Sequence, residues 1–327
     1  MGSLINDDYP IQLSSAPFID FSILLNQDSR IKNDVIKEIG KACQDFGFFS
    51  IINHGIGESL IEDVMDANSR FFDMPIEEKK ELLSNDVYKP VRFETFIQDD
   101  KENGKLTREF LKLYAHPIGD WIGSWPGNPP DYRYLKFLTA NMKTYAIEMR
   151  ALSSQVCGAI MESLSLSSTF WQNKIEQGMQ MMGINCYESA CQLNNIWTGI
   201  APHTDHTIFT LLVQSSPGLQ VMNPSDGCWN AAPGPKGSLH VLVGDHLQVL
   251  SNGKYKSVIH RAVPGSEERR LSVASFHSFA MDEVVEPAME LVDKEHPNYK
   301  GSSVRDYLNY LSSKESKPFL ETLKIVS

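Results

Sequence analysis

His203-Thr204-Asp205-His206-Thr207-Ile208-Phe209-Thr210-Leu211-Leu212-Val213 joins a triplet of metal-ligating character to an apolar run of strand length. The run from Ile208 to Val213 has the aromatic and β-branched content of a short strand. Similar runs follow at Leu219 to Met222, Leu239 to Val243, Leu247 to Leu250, Ser257 to Val263 and Leu271 to Phe279, separated by Gly, Pro, Asn and Asp. Strands at this spacing indicate an antiparallel sandwich or barrel.

Upstream of these runs the period changes from two to between three and four. From Asp34 to Phe46 the apolar residues Val35, Ile36, Ile39, Ala42, Cys43 and Phe46 share one helical face. Gly47 to Ile52 then reads as a buried strand ended by the turn Asn53-His54-Gly55. Leu60, Ile61, Val64, Met65, Phe71 and Phe72 mark a second amphipathic helix. Between Asp86 and Asp131 periodicity fades, so an irregular segment is expected, closed by the prolines around Trp125-Pro126 and Pro129-Pro130. A long helix is expected from near Asp131 or Tyr132 to about Leu164, striped by Leu138, Met142, Tyr145, Met149, Leu152 and Val156. A last helix is expected around Ser303 to Leu311, followed by a polar tail. No repeat or low-complexity linker interrupts the chain. The expected organisation is a helical module over residues 1–130, a packing helix over 131–175, a β core over 176–280 and a C-terminal helix and tail over 281–327.

With 42% hydrophobic and 22% charged residues, the 327-residue chain has the composition of an ordinary globular protein. A formal charge of −11, from 41 acidic against 30 basic residues without a basic run, argues against nucleic acid or an anionic membrane as partner. The five cysteines are odd in number and contain no CxxC, which points to reduced thiols. No apolar run reaches the roughly 18 residues of a membrane span, and the start lacks a signal-peptide pattern. A cytoplasmic monomer acting on a small molecule is the expectation.

Two residues apart on an extended chain, His203 and Asp205 project to the same face and can meet one metal ion. His260, 55 positions beyond Asp205 (260 − 205) and inside another expected strand, can complete the set. Two imidazoles and one carboxylate form the facial triad of non-haem Fe(II) oxygenases, which leaves coordination positions open. Ten positions after His260 (270 − 260), Arg270-Leu271-Ser272 puts a guanidinium and a hydroxyl on one strand face. That pair is suited to clamp a carboxylate. Asn185-Cys186-Tyr187, on another expected strand, can add an amide and a phenol.

These motifs resemble the plant branch of 2-oxoglutarate/Fe(II)-dependent dioxygenases, near the flavanone hydroxylases and anthocyanidin synthases. The resemblance runs through Phe46-Gly47-Phe48-Phe49 and Asn53-His54-Gly55, then Pro202 to His206 with Thr210-Leu211-Leu212. It continues through Gly244-Asp245, Leu250 to Gly253 and Tyr255 to Val263, covering roughly residues 16 to 280. It implies a jelly-roll barrel (a double-stranded β-helix) wrapped by N-terminal and C-terminal helices, of mixed α and β class. It also implies Fe(II) on His203, Asp205 and His260, and 2-oxoglutarate on Arg270, Ser272, Tyr187 and Asn185, with O₂ as oxidant and ascorbate supporting activity. Cys186 departs from the pattern, since relatives often carry Tyr there.

The implied reaction is hydroxylation or desaturation of a flavonoid, terpenoid or alkaloid, with release of succinate and CO₂. A same-fold oxidase that does not use 2-oxoglutarate, a non-catalytic binder on this scaffold and a hydrolytic zinc enzyme are the rival readings. An HxD triplet alone is weak in a chain with nine histidines; its combination with the distant His and the RxS carries the argument. His54, His206, His240, His246 and His277 are read as structural. For the substrate pocket, Phe276 lies four residues past Ser272 and Phe209 four past Asp205, an even spacing that points both toward the metal. Phe93 and Arg92, in the segment expected to be irregular, are expected to close over the barrel mouth.

Overall fold

The computed structural model describes residues 12–25, 29–100, 104–133, 141–188, 199–263, 268–292, 296–313, 315 and 317–325. In chain order the first half contains β1 (Gln12–Leu13), β2 (Phe18–Asp20), α1 (Ser29–Asp45), β3 (Phe48–Ile52), α2 (Glu58–Asp73), α3 (Ile76–Lys79), β4 (Val91–Asp100), β5 (Gly104–His116), α4 (Ile118–Trp121) and α5 (Asn141–Ser163). The second half adds α6 (Ser168–Gln177), β6 (Met179–Tyr187), β7 (Ile200–His203), β8 (Phe209–Gln214), β9 (Leu219–Met222), β10 (Trp229–Ala231), β11 (Leu239–Val243), α7 (Asp245–Leu250), β12 (His260–Ala262), β13 (Arg270–Ser278), α8 (Val304–Ser313) and α9 (Phe319–Leu323).

The strands build an eight-stranded sheet, β2-β3-β11-β8-β13-β6-β5-β4, and a five-stranded sheet, β1-β10-β9-β12-β7. Side chains from both, including Phe48, Leu212, Leu242 and Ala274 of the larger sheet with Leu219 and Val221 of the smaller, meet in one apolar cluster. The two sheets thus share an interior, as in the jelly-roll barrel that the resemblance implies. Strand alternation sorts the larger sheet. Leu111, Leu113, Ile184, Phe209, Leu211, Val213, Val241 and Val273 point outward into the main core, against Ile39 and Cys43 of α1, Val64 and Phe71 of α2, and Met149 and Leu152 of α5. Removing one such large side chain, for example Phe71→Ala, costs roughly 3–5 kcal/mol. The helices therefore brace the sheet from behind and leave its other face free to build a site.

The turn out of α1 shows how tightly the helix joins the barrel. Gly47 has φ +64°, and a Cβ there would lie 2.2 Å from the Lys256 carbonyl oxygen. Only glycine combines that conformation with so close an approach.

Several expectations need correction. The segment expected to be irregular contains the long hairpin β4–β5, which pairs with β6 and extends the larger sheet. Its inward residues Arg92, Glu94, Arg108 and Lys112 are charged, so the apolar period was masked. Leu247 to Leu250 belongs to the helix α7, which follows an extended Gly244; a four-residue apolar run cannot distinguish the two states. The strand expected over Ser257 to Val263 is reduced to His260–Ala262. The packing region holds two helices, broken near Ser165 at φ 61°, and Leu138 lies outside the described residues. A short α9 occupies the expected tail. Among the described residues no helix is long and apolar enough to cross a membrane.

Candidate metal centre and carboxylate clamp

β7 ends at His203, β12 begins at His260, and the two residues are direct cross-strand partners. Antiparallel pairing therefore places the imidazoles side by side, with ring centroids 4.2 Å apart. Asp205 follows two residues after His203, outside the strand. Its Oδ1 lies 3.8 Å from His203 Nε2 and 3.7 Å from His260 Nε2. The three ligand atoms all lie within 4.8 Å of one another, an arrangement able to hold one metal ion.

Each possible ligand is oriented by a second contact. His203 Nδ1 is 2.9 Å from the Ala201 carbonyl and His260 Nδ1 is 3.1 Å from that of Val258. A carbonyl can only accept, so both Nδ1 atoms carry the proton and both Nε2 atoms present lone pairs. The Thr210 hydroxyl donates to Asp205 Oδ2 at 2.6 Å, leaving Oδ1 turned toward the imidazoles. Enclosure, followed by the neighbouring His260, pushes His203 down to about 4. The exposed 37% of the His203 side chain faces the cavity. A neutral imidazole is the form that ligates.

Arg270 and Ser272, on β13, pair directly with Tyr187 and Asn185 on β6. All four line the same cavity, of about 340 Å³, as the His-Asp-His group. Arg270 is 1% exposed. Its Nη2 donates to Gln214 Oε1 at 2.7 Å and its Nε to the Ser216 carbonyl at 3.2 Å. Its Nη1 is buried without a hydrogen-bond partner among the described residues. An orphaned guanidinium donor costs desolvation free energy unless a ligand satisfies it.

The other histidines have their own neighbours. His240 contacts Ser50 Oγ and Gln214 Nε2, His277 contacts Ser275 Oγ, and His54 contacts the Gly237 carbonyl. His206 stacks on Tyr307 of α8 with centroids 3.7 Å apart, and His246 reaches Ser302 Oγ. Arg269 pairs with Asp73 and Glu188, and Cys186 is a buried core residue. Cys191 lies outside the described residues.

Of the expected pocket residues, Phe276 and Arg92 line the cavity, whereas Phe209 and Phe93 do not. Phe209 and Phe93 are fully buried in the helix-facing core, and Phe93 packs edge-on against Phe71. The reason is parity. Residues 206–208 are an irregular, bent segment between Asp205 and β8, so even spacing from Asp205 does not conserve the face. Phe93 lies on a regular strand one residue out of phase with Arg92.

Sequence reading missed Arg108, Phe110 and Lys112 of β5, which line the same cavity. Their signal was the alternation with Glu109, Leu111 and Leu113. Also missed was Gly183 of β6, where a Cβ would lie 2.9 Å from the Phe276 ring and 3.0 Å from the Phe110 ring. The small residue makes room for both aromatic walls. The α8 residues Tyr307, Leu308 and Leu311 close another side.

The donor set fits iron and 2-oxoglutarate: two imidazoles and one carboxylate stand beside a buried guanidinium with a donor unpartnered among the described residues. A double-stranded β-helix carrying such a site belongs to the class of non-haem metal oxygenases. Comparison with known proteins agrees. Residues 16–130 match the N-terminal family described as non-haem dioxygenase in morphine synthesis, and residues 179–278 match the 2OG-Fe(II) oxygenase superfamily. The chain is 40% identical to flavanone 3-dioxygenase 3 of Oryza sativa subsp. japonica over 94% of its own length and 93% of the relative's. It is 41% identical to the chloroplastic 2-oxoglutarate-dependent dioxygenase 21 of the same plant, over 92% and 89%. The crystal structure of JOX2 in complex with 2OG, Fe and JA superposes with a TM-score of 0.81 at 24% identity, covering 97% of this chain and 91% of that one. This chain belongs to the 2OG-Fe(II) oxygenase superfamily and is a 2-oxoglutarate/Fe(II)-dependent dioxygenase.

Proposed function

We propose that the enzyme hydroxylates or desaturates a small specialised metabolite such as a flavonoid, terpenoid or alkaloid, bound in the cavity between β5, β6, β13 and α8. His203, Asp205 and His260 hold the iron; Arg270, Ser272, Tyr187 and Asn185 hold 2-oxoglutarate. The observation that carries this reading is the buried Nη1 of Arg270, unpartnered among the described residues, in the cavity that also contains the His-Asp-His group. The relatedness to a flavanone 3-dioxygenase supports the substrate range.

Iron(II) and 2-oxoglutarate together supply the activation of O₂, coupling release of CO₂ and succinate to oxidation of a substrate carbon. The chain supplies position and dryness. Backbone carbonyls at Ala201 and Val258 fix the two imidazoles, and Thr210 fixes the carboxylate. Arg270 sets the co-substrate's distal carboxylate. Phe110, Phe276 and Arg92 form substrate-facing walls, and Leu308 and Leu311 help to exclude water from the reacting carbon.

The test is incubation of the iron-loaded protein with pooled plant metabolites, O₂ and 2-oxoglutarate, followed by mass spectrometry. A gain of one oxygen or loss of two hydrogens, with succinate formed and dependent on 2-oxoglutarate, supports the reading. Oxidation that proceeds equally without 2-oxoglutarate refutes it and favours a same-fold oxidase.

A further inference from the structure

We infer that the substrate is a small carboxylic acid with an apolar body, and that Arg108 is the residue that binds its carboxylate. The inference rests on the proposed assignment of this cavity as the substrate site of an oxygenase.

Arg108 lines the cavity from β5. Nη1 donates to Asn185 Oδ1 at 3.2 Å, and the guanidinium lies 4.2 Å from the centre of the Phe96 ring and 5.6 Å from that of Phe110. The Tyr187 phenol is also close enough to interact with it, and its charge is felt at His203. No carboxylate among the described residues forms an ion pair with Arg108. Its neighbours differ in this: Arg92 pairs with Glu94, Arg269 with Asp73 and Glu188, and Lys79 with Glu109.

An enclosed guanidinium without a counter-charge is unfavourable, because desolvation is not repaid by a partner. The proposed contents of the site do not supply one. Iron(II), the Asp205 carboxylate, a doubly ionised 2-oxoglutarate and Arg270 sum to zero charge. Arg108 is then left as an uncompensated cation on the metal side of the cavity. Lys112, on the same face, supplies no counter-charge, and among the described residues its ammonium donates to the Val87 carbonyl. A substrate with one carboxylate neutralises Arg108 and fits the planar donor fork. The remaining wall, with Phe110, Phe276, Met181, Leu212 and Ala274, suits a hydrocarbon or aromatic body. Rings flanking the guanidinium hold it in place by stacking, which lowers the ordering cost of binding.

The test uses full-length protein loaded with iron(II) and 2-oxoglutarate without O₂, titrated calorimetrically with matched pairs: 3-phenylpropanoate, 4-coumarate and cyclohexylacetate, each against its primary amide, with a neutral flavanone alongside. At least one acid is expected to bind about tenfold or more tightly than its amide. Arg108→Gln should erase that preference while 2-oxoglutarate affinity stays within about twofold, and Arg108→Lys should retain part of the preference. Absence of an acid preference in every pair overturns the inference. So does an equal weakening of acid and 2-oxoglutarate in Arg108→Gln, which would make Arg108 part of the co-substrate clamp. If Arg108→Gln does not fold, Arg108→Lys decides: an undiminished acid preference overturns the inference, and a reduced one supports it. The initial titration of wild type with 2-oxoglutarate is required by the dioxygenase reading alone, so failure there is distinguishable from failure of the acid preference.

Discussion

Arg270 of β13 stands directly across the sheet from Tyr187 of β6, with its guanidinium carbon 5.0 Å from the centre of the phenol ring. The ring supports the guanidinium from one side while Gln214 and Ser216 hold two of its three nitrogens. One nitrogen is left for a ligand. The clamp is therefore rigid before the co-substrate arrives.

Arg270→Ala should raise the KM for 2-oxoglutarate sharply, since losing one partner of a buried charge pair costs roughly 2–5 kcal/mol. Arg270→Lys should be nearly as impaired, because an ammonium cannot reproduce the fork. Succinate formation measured against 2-oxoglutarate concentration checks both. An unchanged KM in the two variants would place the clamp elsewhere.

Thr210→Val keeps the shape of a buried side chain but removes the donor to Asp205 Oδ2. Loss of such an orienting contact lowers metal affinity by about 10–100-fold. Competition between the apo protein and a chelator for Fe(II) or Co(II) measures it. Wild-type affinity in the variant would mean that Asp205 needs no support from Thr210.

Gly183→Ala should disturb the substrate and spare the co-substrate. The added methyl meets the Phe276 and Phe110 rings, and both must shift into the cavity. A displaced substrate carbon loses its near-attack position while 2-oxoglutarate is still consumed. The ratio of succinate to oxidised product should rise at unchanged 2-oxoglutarate KM; a constant ratio would show that these rings do not position substrate.

Lys112 makes stability depend on pH in a defined direction. Burial, then the charge of Arg92, pushes its ammonium down to about 7 from 10.5. Between those values the unfolded chain binds more protons at this site than the folded one, so folding stability rises with pH. Below that window both states hold the proton and the penalty is constant. In apo protein, the Tm of wild type minus that of Lys112→Met should increase from about pH 7 to about pH 9.5. A difference that does not change with pH would show Lys112 to be unperturbed.

Much of this protein was determined locally in its sequence. The faces of α1 and α2, the buried strand Phe48–Ile52 and the RxS of β13 follow from periods of between three and four and of two, which act over a few residues. His203, Asp205 and His260 were recoverable because donor type and spacing restrict the chemistry. Other features depended on partners distant in the chain. β4 and β5 are strands because they pair with each other and with β6, although their inward residues are charged. Phe209 and Phe93 face the helices because a bend or a one-residue phase, neither measurable by counting from the metal triplet, decides which side of a sheet a side chain takes. Above all, Arg108 acquires meaning only in three dimensions. A sequence shows one arginine among many, whereas the fold shows which of them lines the cavity of the metal site without a carboxylate among the described residues to balance it.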